Sequence, residues 1–322
     1  MRAMILAAGL GTRLAPLTLE LPKPAVPLAN RPLASFAVEA LTLERAPGPR
    51  IDAIAINTHP MPERLERALA PYLPRAVRTR FFREESVLGT GGGLRNARAF
   101  LLDGDPDAPV VAANADMLFA PDLGAALDAH ERYDAIATMV LRPDPEGRYG
   151  EVRIGADGLV DTILGRARRG SVGRPAARCM FTGVHLLSRR AFDDLPERGC
   201  VIRTAYFAWL ERGERIAAVV DPSPWQDLGT VADYVDAGAS LAGGTLRWPT
   251  VRPEGGNLID PAAAIGAGAR LRRATVGAGA TVAAGVALTD VIVWPGARAD
   301  RSCRRAVITP ERVVGAAPAG VT

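Results

Sequence analysis

Between Met4 and Leu141 short apolar runs alternate with amphipathic helical stretches, and this alternation restricts the fold more than any other feature of the chain. Met4–Ala8, Ile51–Asn57, Val77–Phe82, Pro109–Ala113 and Ala135–Leu141 read as strands. Pro32–Leu43, Pro62–Leu73, Gly92–Leu102 and Pro121–Glu131 lie between them and read as helices. That order predicts an α/β fold built on a Rossmann-like mixed, mostly parallel sheet, with ligands at the carboxyl ends of the strands. From about 145 to 200 the helices drop out. Gly150–Ile154, Leu159–Ile163 and Cys179–Leu187 read as antiparallel strands, an insertion placed to roof the active edge. Ile202–Arg212, Ile216–Val220 and Val231–Ala242 return to α/β character.

A different period follows the Pro/Gly-rich stretch Pro249–Gly256. Ile259, Ile265 and Leu271 stand six residues apart, as do Val276, Val282 and Leu288, with a five-residue step between the trios. The Gly-Ala tracts between them are too rich in glycine for a helix. A hexapeptide period with small residues between aliphatic corners predicts a short left-handed parallel β-helix of about three coils. A disordered Ala/Gly tail is the alternative, and the regular aliphatic spacing argues against it. The expected division is a main domain over 1–245, a linker over 246–257 and the β-helix tail over 258–322.

Charge narrows the partners. The net charge is +4, and no basic tract of five to eight residues occurs, so nucleic acid is not an expected partner. No stretch approaches the ~18 apolar residues of a membrane helix. The apolar run at the N-terminus is too short for a signal sequence and leads straight into a loop. Cys179, Cys200 and Cys303 are too few and too scattered for a disulfide framework or a zinc site, which fits the cytoplasm.

Of the 39 basic residues, Lys23 alone is lysine. Arginine serves wherever charge alone is needed, whereas a compact ammonium on a flexible stem is a different tool. Lys23 lies in Pro22-Lys-Pro24, where the prolines fix φ, just downstream of Ala8 and the glycine-rich Gly9-Leu-Gly-Thr-Arg13. Gly9 and Gly11 let backbone N–H groups approach a phosphate closely, and Thr12 and Arg13 add donors. The spacing is neither a P-loop nor a dinucleotide-binding fingerprint. A second glycine-rich stretch, Glu85–Gly93, opens a helix and could pack Gly91 and Gly92 against a flat base. Glu85 could accept the N1–H and amino hydrogens of guanine.

Asp116, in Asn114-Ala-Asp116, ends a strand beside these loops as a hard oxygen ligand suited to Mg²⁺. Asp227, in Trp225-Gln-Asp227, is the second carboxylate, with a helix cap as its competing role. Among the histidines, His59 and His130 read as surface or packing residues, while His185 lies on a strand near the expected roof.

Taken together, Leu6–Thr18, Pro22–Pro24, Leu88–Gly93, Asn114–Asp116 and Trp225–Thr230 resemble the sugar-1-phosphate nucleotidyltransferases, or nucleotide-sugar pyrophosphorylases, over roughly residues 1–245. The tail resembles the β-helix appended to several of them, including GDP-mannose pyrophosphorylases. The resemblance implies that Ala8, Gly9, Gly11, Thr12 and Arg13 hold the triphosphate, and that Arg13 and Lys23 act at the reacting phosphates. It also implies that Asp116 and Asp227 bind Mg²⁺ and that Glu85, Gly91 and Gly92 surround the base. Asn114, Gly150, Thr182 and Gly183 would meet the sugar phosphate.

Two departures stand out. Leu164-Gly-Arg166 replaces the Glu-Lys-Pro of many members, and Phe181-Thr-Gly-Val-His185 replaces Asn-x-Gly-x-Tyr. Both are similar to the branch of N-acetylmuramate-1-phosphate uridylyltransferases and heptose-phosphate guanylyltransferases. The expected partners are a nucleoside triphosphate, with GTP favoured over UTP, and a mannose-1-phosphate-like sugar 1-phosphate, N-acetylmuramate or another hexose or heptose 1-phosphate being the alternative. A catalytically silent regulatory subunit is the competing class. An acyltransferase tail is disfavoured because the tail holds no histidine to act as base. The tail is instead a candidate module for homo-oligomer assembly.

Overall fold

The computed structural model describes residues 1–43, 49–171 and 177–316 of the 322. Strands β1 (Arg2–Ala7), β2 (Ala53–Thr58), β3 (Arg78–Arg83) and β4 (Val110–Asn114) run parallel in the order β3-β2-β1-β4. Side chains on these strands alternate between two cores. Met4, Ala53 and Ala55 face a cluster with Phe192, Tyr206 and Trp209, whereas Ile5, Ile54 and Ile56 face one with Val38, Leu65 and Leu69. Helices α1 (Ala34–Thr42) and α2 (Pro62–Leu69) supply the second cluster. Cover on both faces is why the parallel strands read as nearly continuous apolar runs.

The chain next forms β5 (Met117–Phe119), β6 (Ala137–Pro143), β7 (Glu151–Ile154), β8 (Val160–Ile163), β9 (Arg166–Ala167) and the long β10 (Ala177–Leu187). The expected antiparallel insertion is present: β7, β8 and β9 pair antiparallel in sequence, and β7 pairs with β10. Strand β10 changes neighbours along its length. Val184–Leu187 pair with β4, and Ala177–Met180 pair with β7. The register against β6 shifts between Phe181 and Val184, and Gly183 there has φ of 89°. A bulge of this kind bends the strand and re-aims its side chains. It does so next to the carboxyl end of β4.

One expected helix is divided and begins earlier. Gly92–Leu102 becomes α3 (Gly89–Asn96) and α4 (Arg98–Leu101), and the glycine-rich stretch forms the first turns of α3 instead of a loop ahead of it. The cause is tertiary. Gly91 N donates to Gly199 O at 2.9 Å, and a Cβ on Gly91 would stand 2.6 Å from Pro196. Close seating of α3 against 196–199 outweighs the poor helix propensity of glycine.

Helices α5 (Leu123–Arg132), α6 (Phe207–Arg212) and α7 (Val231–Ala242) complete the main domain, together with β11 (Ile216–Val220) and β12 (Trp225–Asp227). In the tail, Ile259 pairs with Val276 and Val276 with Val293, while Ile265 pairs with Val282 and Val282 with Ala299. Leu271 likewise pairs with Leu288. All these pairings are parallel, so each residue of the first trio stacks on its counterpart in the next coil. Residues 317–322 of the expected tail lie outside the described residues.

The stretch between the domains packs more tightly than a bare linker. Trp248 is buried and its ring meets Phe36 edge-on at 5.1 Å. One apolar cluster joins Phe36, Tyr234, Val235 and Leu241 to Trp248, Val276, Ile292 and Trp294. Tail and main domain therefore share a core.

Two histidines are deep in the main domain. Nδ1 of His130 lies 2.8 Å from Thr138 Oγ1, and Nδ1 of His185 lies 2.7 Å from Tyr206 Oη. Burial, reinforced by Arg190, lowers His130 from 6.5 to about 4, and burial alone lowers His185 to about 3. Below pH 6.5 the unfolded chain takes up protons that the fold refuses. Stability is therefore full above that pH and is lost as pH falls, by up to about 1.4 kcal/mol per pH unit for each histidine. Urea midpoints at pH 7 and pH 5 should differ more in the native chain than in His130→Gln. Equal differences would show that His130 does not contribute.

Candidate active site

The carboxyl ends of β1, β2 and β4 open into a cavity of about 310 Å³. Its first wall is the loop after β1, where Ala8, Gly9, Gly11, Thr12 and Arg13 all line it. Gly11 adopts φ of 63°, a conformation that L side chains rarely take. A Cβ there would stand 2.8 Å from Lys23 Cβ and 3.0 Å from Thr18 Cγ2. The bare backbone is what lets the Lys23 segment close over the loop.

Pro22 holds an extended conformation and Lys23–Ala25 form a single 3-10 turn, which carries Lys23 into the cavity wall. Lys23 is only 6% exposed, and its Nζ donates to Asp116 Oδ2 at 2.7 Å. A charge taken this far out of water needs a partner, and Asp116 supplies it.

Asp116 precedes β5, which pairs antiparallel with β12 so that Asp227 lies opposite Met117. Leu228 N donates to Asp116 O at 3.4 Å, bringing the two aspartates side by side across 111 positions of sequence (227 − 116). Burial raises the Asp227 carboxyl above the usual range, and the like charge of Asp116 adds to this against the pull of Lys23 and Arg13. Arg13 approaches Asp227 at 3.7 Å from a largely exposed position. Asp227 is not the helix cap: Thr230 caps α7 in a reciprocal box with Asp233.

Among the described residues no three His, Cys, Asp or Glu side chains converge. Two mutually repelling carboxylates at the cavity do fit a hard divalent cation, provided ligand oxygens complete its shell.

Buried polar residues brace the opposite wall. Ala7 N donates to Asn57 Oδ1 at 2.7 Å, Asn57 Nδ2 donates to Glu84 Oε1 at 2.8 Å, and Glu84 Oε2 accepts from Leu88 N at 2.8 Å. This chain ties the ends of β1 and β2 to the entry of α3. Asn57, Val87, Gly89 and Thr90 line the cavity. Sequence reasoning missed Asn57 and Glu84; the one available signal was a polar residue closing an apolar run.

Three expected base contacts stand elsewhere. Glu85 is exposed and outside the cavity lining, and Gly91 and Gly92 face Pro196–Arg198.

Of the residues expected at the sugar phosphate, Asn114 lines the cavity, and its Nδ2 lies 2.7 Å from where a Gly183 Cβ would stand. Thr182 is buried; its hydroxyl donates to Val140 O, and its carbonyl accepts from Trp225 Nε1 at 2.9 Å. Gly150 is exposed and stands apart from the cavity wall, although its neighbour Tyr149 meets Trp225 edge-on at 5.2 Å. His185 is closed off between Phe181 and Tyr206.

The Lys23 segment is also held from the tail. Glu20 is buried, and its Oε1 accepts from Thr309 Oγ1 and Arg312 Nε, both at 2.8 Å. Arg312→Ala should destabilise the fold by about 1.5–3 kcal/mol, as a charge-assisted bond to a buried carboxylate is lost. A urea midpoint unchanged from the native one would show this clasp to be idle.

The chain belongs to the nucleotidyl transferase family, whose model matches residues 2–243. Among its relatives, mannose-1-phosphate guanylyltransferase of Mycobacterium tuberculosis is 31% identical over 308 residues, spanning 94% of this chain and 82% of that one. Mannose-1-phosphate guanylyltransferase 1 of Arabidopsis thaliana is 30% identical, spanning 92% and 82%. The crystal structure of HddC from Yersinia pseudotuberculosis shares the fold, with a TM-score of 0.57 at 22% identity over 73% of this chain and 97% of that one.

Proposed function

We propose that the protein transfers the guanylyl group of GTP to a mannose-1-phosphate-like sugar 1-phosphate and releases pyrophosphate. The pairing of buried Lys23 with half-buried Asp116, 2.7 Å apart in one cavity with the Gly9–Arg13 loop, carries this reading. The names of the two relatives, each matched over more than nine-tenths of this chain, support the choice of base and sugar.

A sugar phosphate is an anion at neutral pH, so the attack needs no general base. Catalysis reduces to alignment for in-line attack on the α-phosphorus and to neutralising the charge that develops. Backbone N–H groups of the Gly9–Arg13 loop hold the triphosphate, and Arg13 favours the departing pyrophosphate. Lys23 reaches the transferred phosphoryl group. Asp116 and Asp227 would hold Mg²⁺, which when bound supplies positive charge to the phosphate oxygens. Asn114 and the backbone at Gly183 fit the sugar phosphate. The presence of Arg13, Lys23, Asp116 and Asp227 together speaks against a silent subunit.

The parallel stacking of the tail's short strands supports a left-handed parallel β-helix. Its first coil leaves Ile259 44% and Ile265 39% exposed, which supports a homo-oligomer formed through the tail. Three free cysteines favour the cytoplasm. No helix of the described residues is long and apolar enough to cross a membrane.

Pyrophosphate release should be measured with each nucleoside triphosphate against mannose-, glucose-, heptose- and N-acetylmuramate-1-phosphate. GTP with mannose 1-phosphate is expected to give the highest kcat/KM. A preference for UTP with N-acetylmuramate 1-phosphate would move the substrate assignment, and silence across the panel would overturn the reading.

A further inference from the structure

The chain's charge is not spread evenly. Residues 258–322 carry eight arginines against four acids, so the whole net charge of +4 belongs to the tail. Three of these arginines share one side of it. Arg270 and Arg272 lie on a short strand that pairs in parallel with Ala287–Thr289, and Thr289 pairs in turn with Arg304. Neighbouring strands lie about 4.8 Å apart, which sets Arg272 and Arg304 about 9.5 Å apart along one row. Alternation puts Arg270 on the same side, because Leu271 turns the other way beside buried Leu288.

The adjoining corner of the coils is electrically matched. Arg273, Asp290 and Arg305 stand there, all with positive φ. Arg273 holds both oxygens of Asp290, at 2.6 and 2.8 Å, and Arg305 pairs with Asp236 of α7. The open side has no such match. Arg270, Arg272 and Arg304 are exposed, and none has a hydrogen-bond or ion-pair partner among the described residues. Arg301, exposed in the same coil as Arg304, has none either. Asp290 is held below the usual carboxylate range first by Arg273, and Arg272 adds only a weaker pull. The remaining acids of the tail are engaged: Asp300 by Arg298, Glu311 by Arg312 and Asp260 by Ala262 N. The row spacing falls within the Debye length of about 10 Å at 0.1 M salt, so these arginines repel one another until anions cover them.

The same side offers charge and little else. Ala287 and Thr289, the residues between the arginines, are small. Trp294 is the one aromatic residue from 258 onward, and it is buried. No ring is therefore available to stack a base or to anchor a protein partner. Several equivalent guanidinium groups on a short flat sheet fit a surface whose phosphates are also equivalent and coplanar.

We propose that this side of the tail docks on a membrane leaflet rich in anionic phospholipid, with Arg270, Arg272 and Arg304 on the lipid phosphates. Ile259 and Ile265 belong to other rows, with Val276 and Val282, so docking leaves assembly through the tail open. None of the three arginines lines the active-site cavity, and the proposal does not depend on the nucleotidyl-transfer reading.

The test sediments the full chain with vesicles of phosphatidylcholine, alone or mixed in equal parts with phosphatidylglycerol. Partitioning onto the mixed vesicles should be at least tenfold stronger at about 0.1 M salt, and should vanish near 1 M, where the Debye length is about 3 Å. An arginine at an anionic surface is worth about fivefold, so Arg272→Gln combined with Arg304→Gln should weaken partitioning roughly 25-fold. Arg75→Gln combined with Arg132→Gln removes the same charge from exposed, unpaired positions of the main domain and should leave partitioning unchanged. Urea midpoints and pyrophosphate release should match the native chain in both double variants. Should the tail variant unfold, Arg270→Gln alone, with an expected loss of about fivefold, decides in its place.

Equal partitioning onto the two kinds of vesicle overturns the lipid as partner. Equal losses in the two double variants overturn the face. A single-stranded oligonucleotide that binds more tightly per phosphate than the mixed vesicles, at the same salt, gives the face to nucleic acid and overturns the proposal.

Discussion

Lys23→Ala is expected to lower kcat by roughly 10²–10³, the loss that follows when one preorganised donor to developing charge is removed. Lys23→Arg is expected to restore little of it. The reasons are steric and electrostatic. Lys23 is 6% exposed, and Gly11 has no room for even a methyl group beside its stem. A planar guanidinium cannot fold into that space while keeping the 2.7 Å contact that Nζ makes with Asp116 Oδ2. Lys23→Ala also removes the positive charge that offsets the repulsion between the Asp116 and Asp227 carboxylates. The check is the rate of pyrophosphate release with both substrates saturating. An arginine variant with native kcat would refute the requirement for an ammonium.

The second large effect is expected from ending the chain after Thr245. That removes Trp248, Val276, Ile292 and Trp294 from a core they share with Phe36, Tyr234, Val235 and Leu241. Exposing four such side chains on the main domain costs roughly 1.5–3 kcal/mol each. The sum is on the scale of a whole domain's stability, about 5–15 kcal/mol. The shortened chain should therefore be recovered as aggregate, or as a species that binds hydrophobic dyes and lacks a cooperative urea transition. A soluble product with a native-like midpoint would mean that the shared core contributes little.

The parts of this molecule that were legible in the sequence are those set by local pattern. Strand and helix periods in the first 141 residues gave the parallel sheet, and the six-residue step in the tail matched the stacking of Ile259 on Val276 and Val293. Gly11, Lys23, Asp116 and Asp227 were nominated by residue type and by motif, and they do converge on one cavity wall or its edge. What was missed depended on register and on distant contacts.

Glu84 and Glu85 are adjacent acids, and only the alternation at the end of β3 decides which one turns inward; Glu84 does. The glycines at 91 and 92 look the same in sequence whether they face a ligand or a neighbouring chain segment. Their partners at Pro196–Arg198 are about a hundred residues away. Asn57 gives only the weak local signal of a polar residue closing an apolar run, because its partners are Ala7 on β1 and Glu84 just past β3.

The clasp between Glu20 and the tail has a consequence in time. Thr309 bonds Glu20 across 289 positions of sequence, and Arg312 across 292. On a ribosome adding about 5–20 residues per second, the lysine-bearing segment emerges many seconds before the residues that brace it. During that interval the Gly9–Arg13 loop and Lys23 exist without this support, which comes from the turn at Thr309 and Arg312. Translation speed through the tail, and not through the motifs that define the chemistry, should set when a nascent molecule becomes competent.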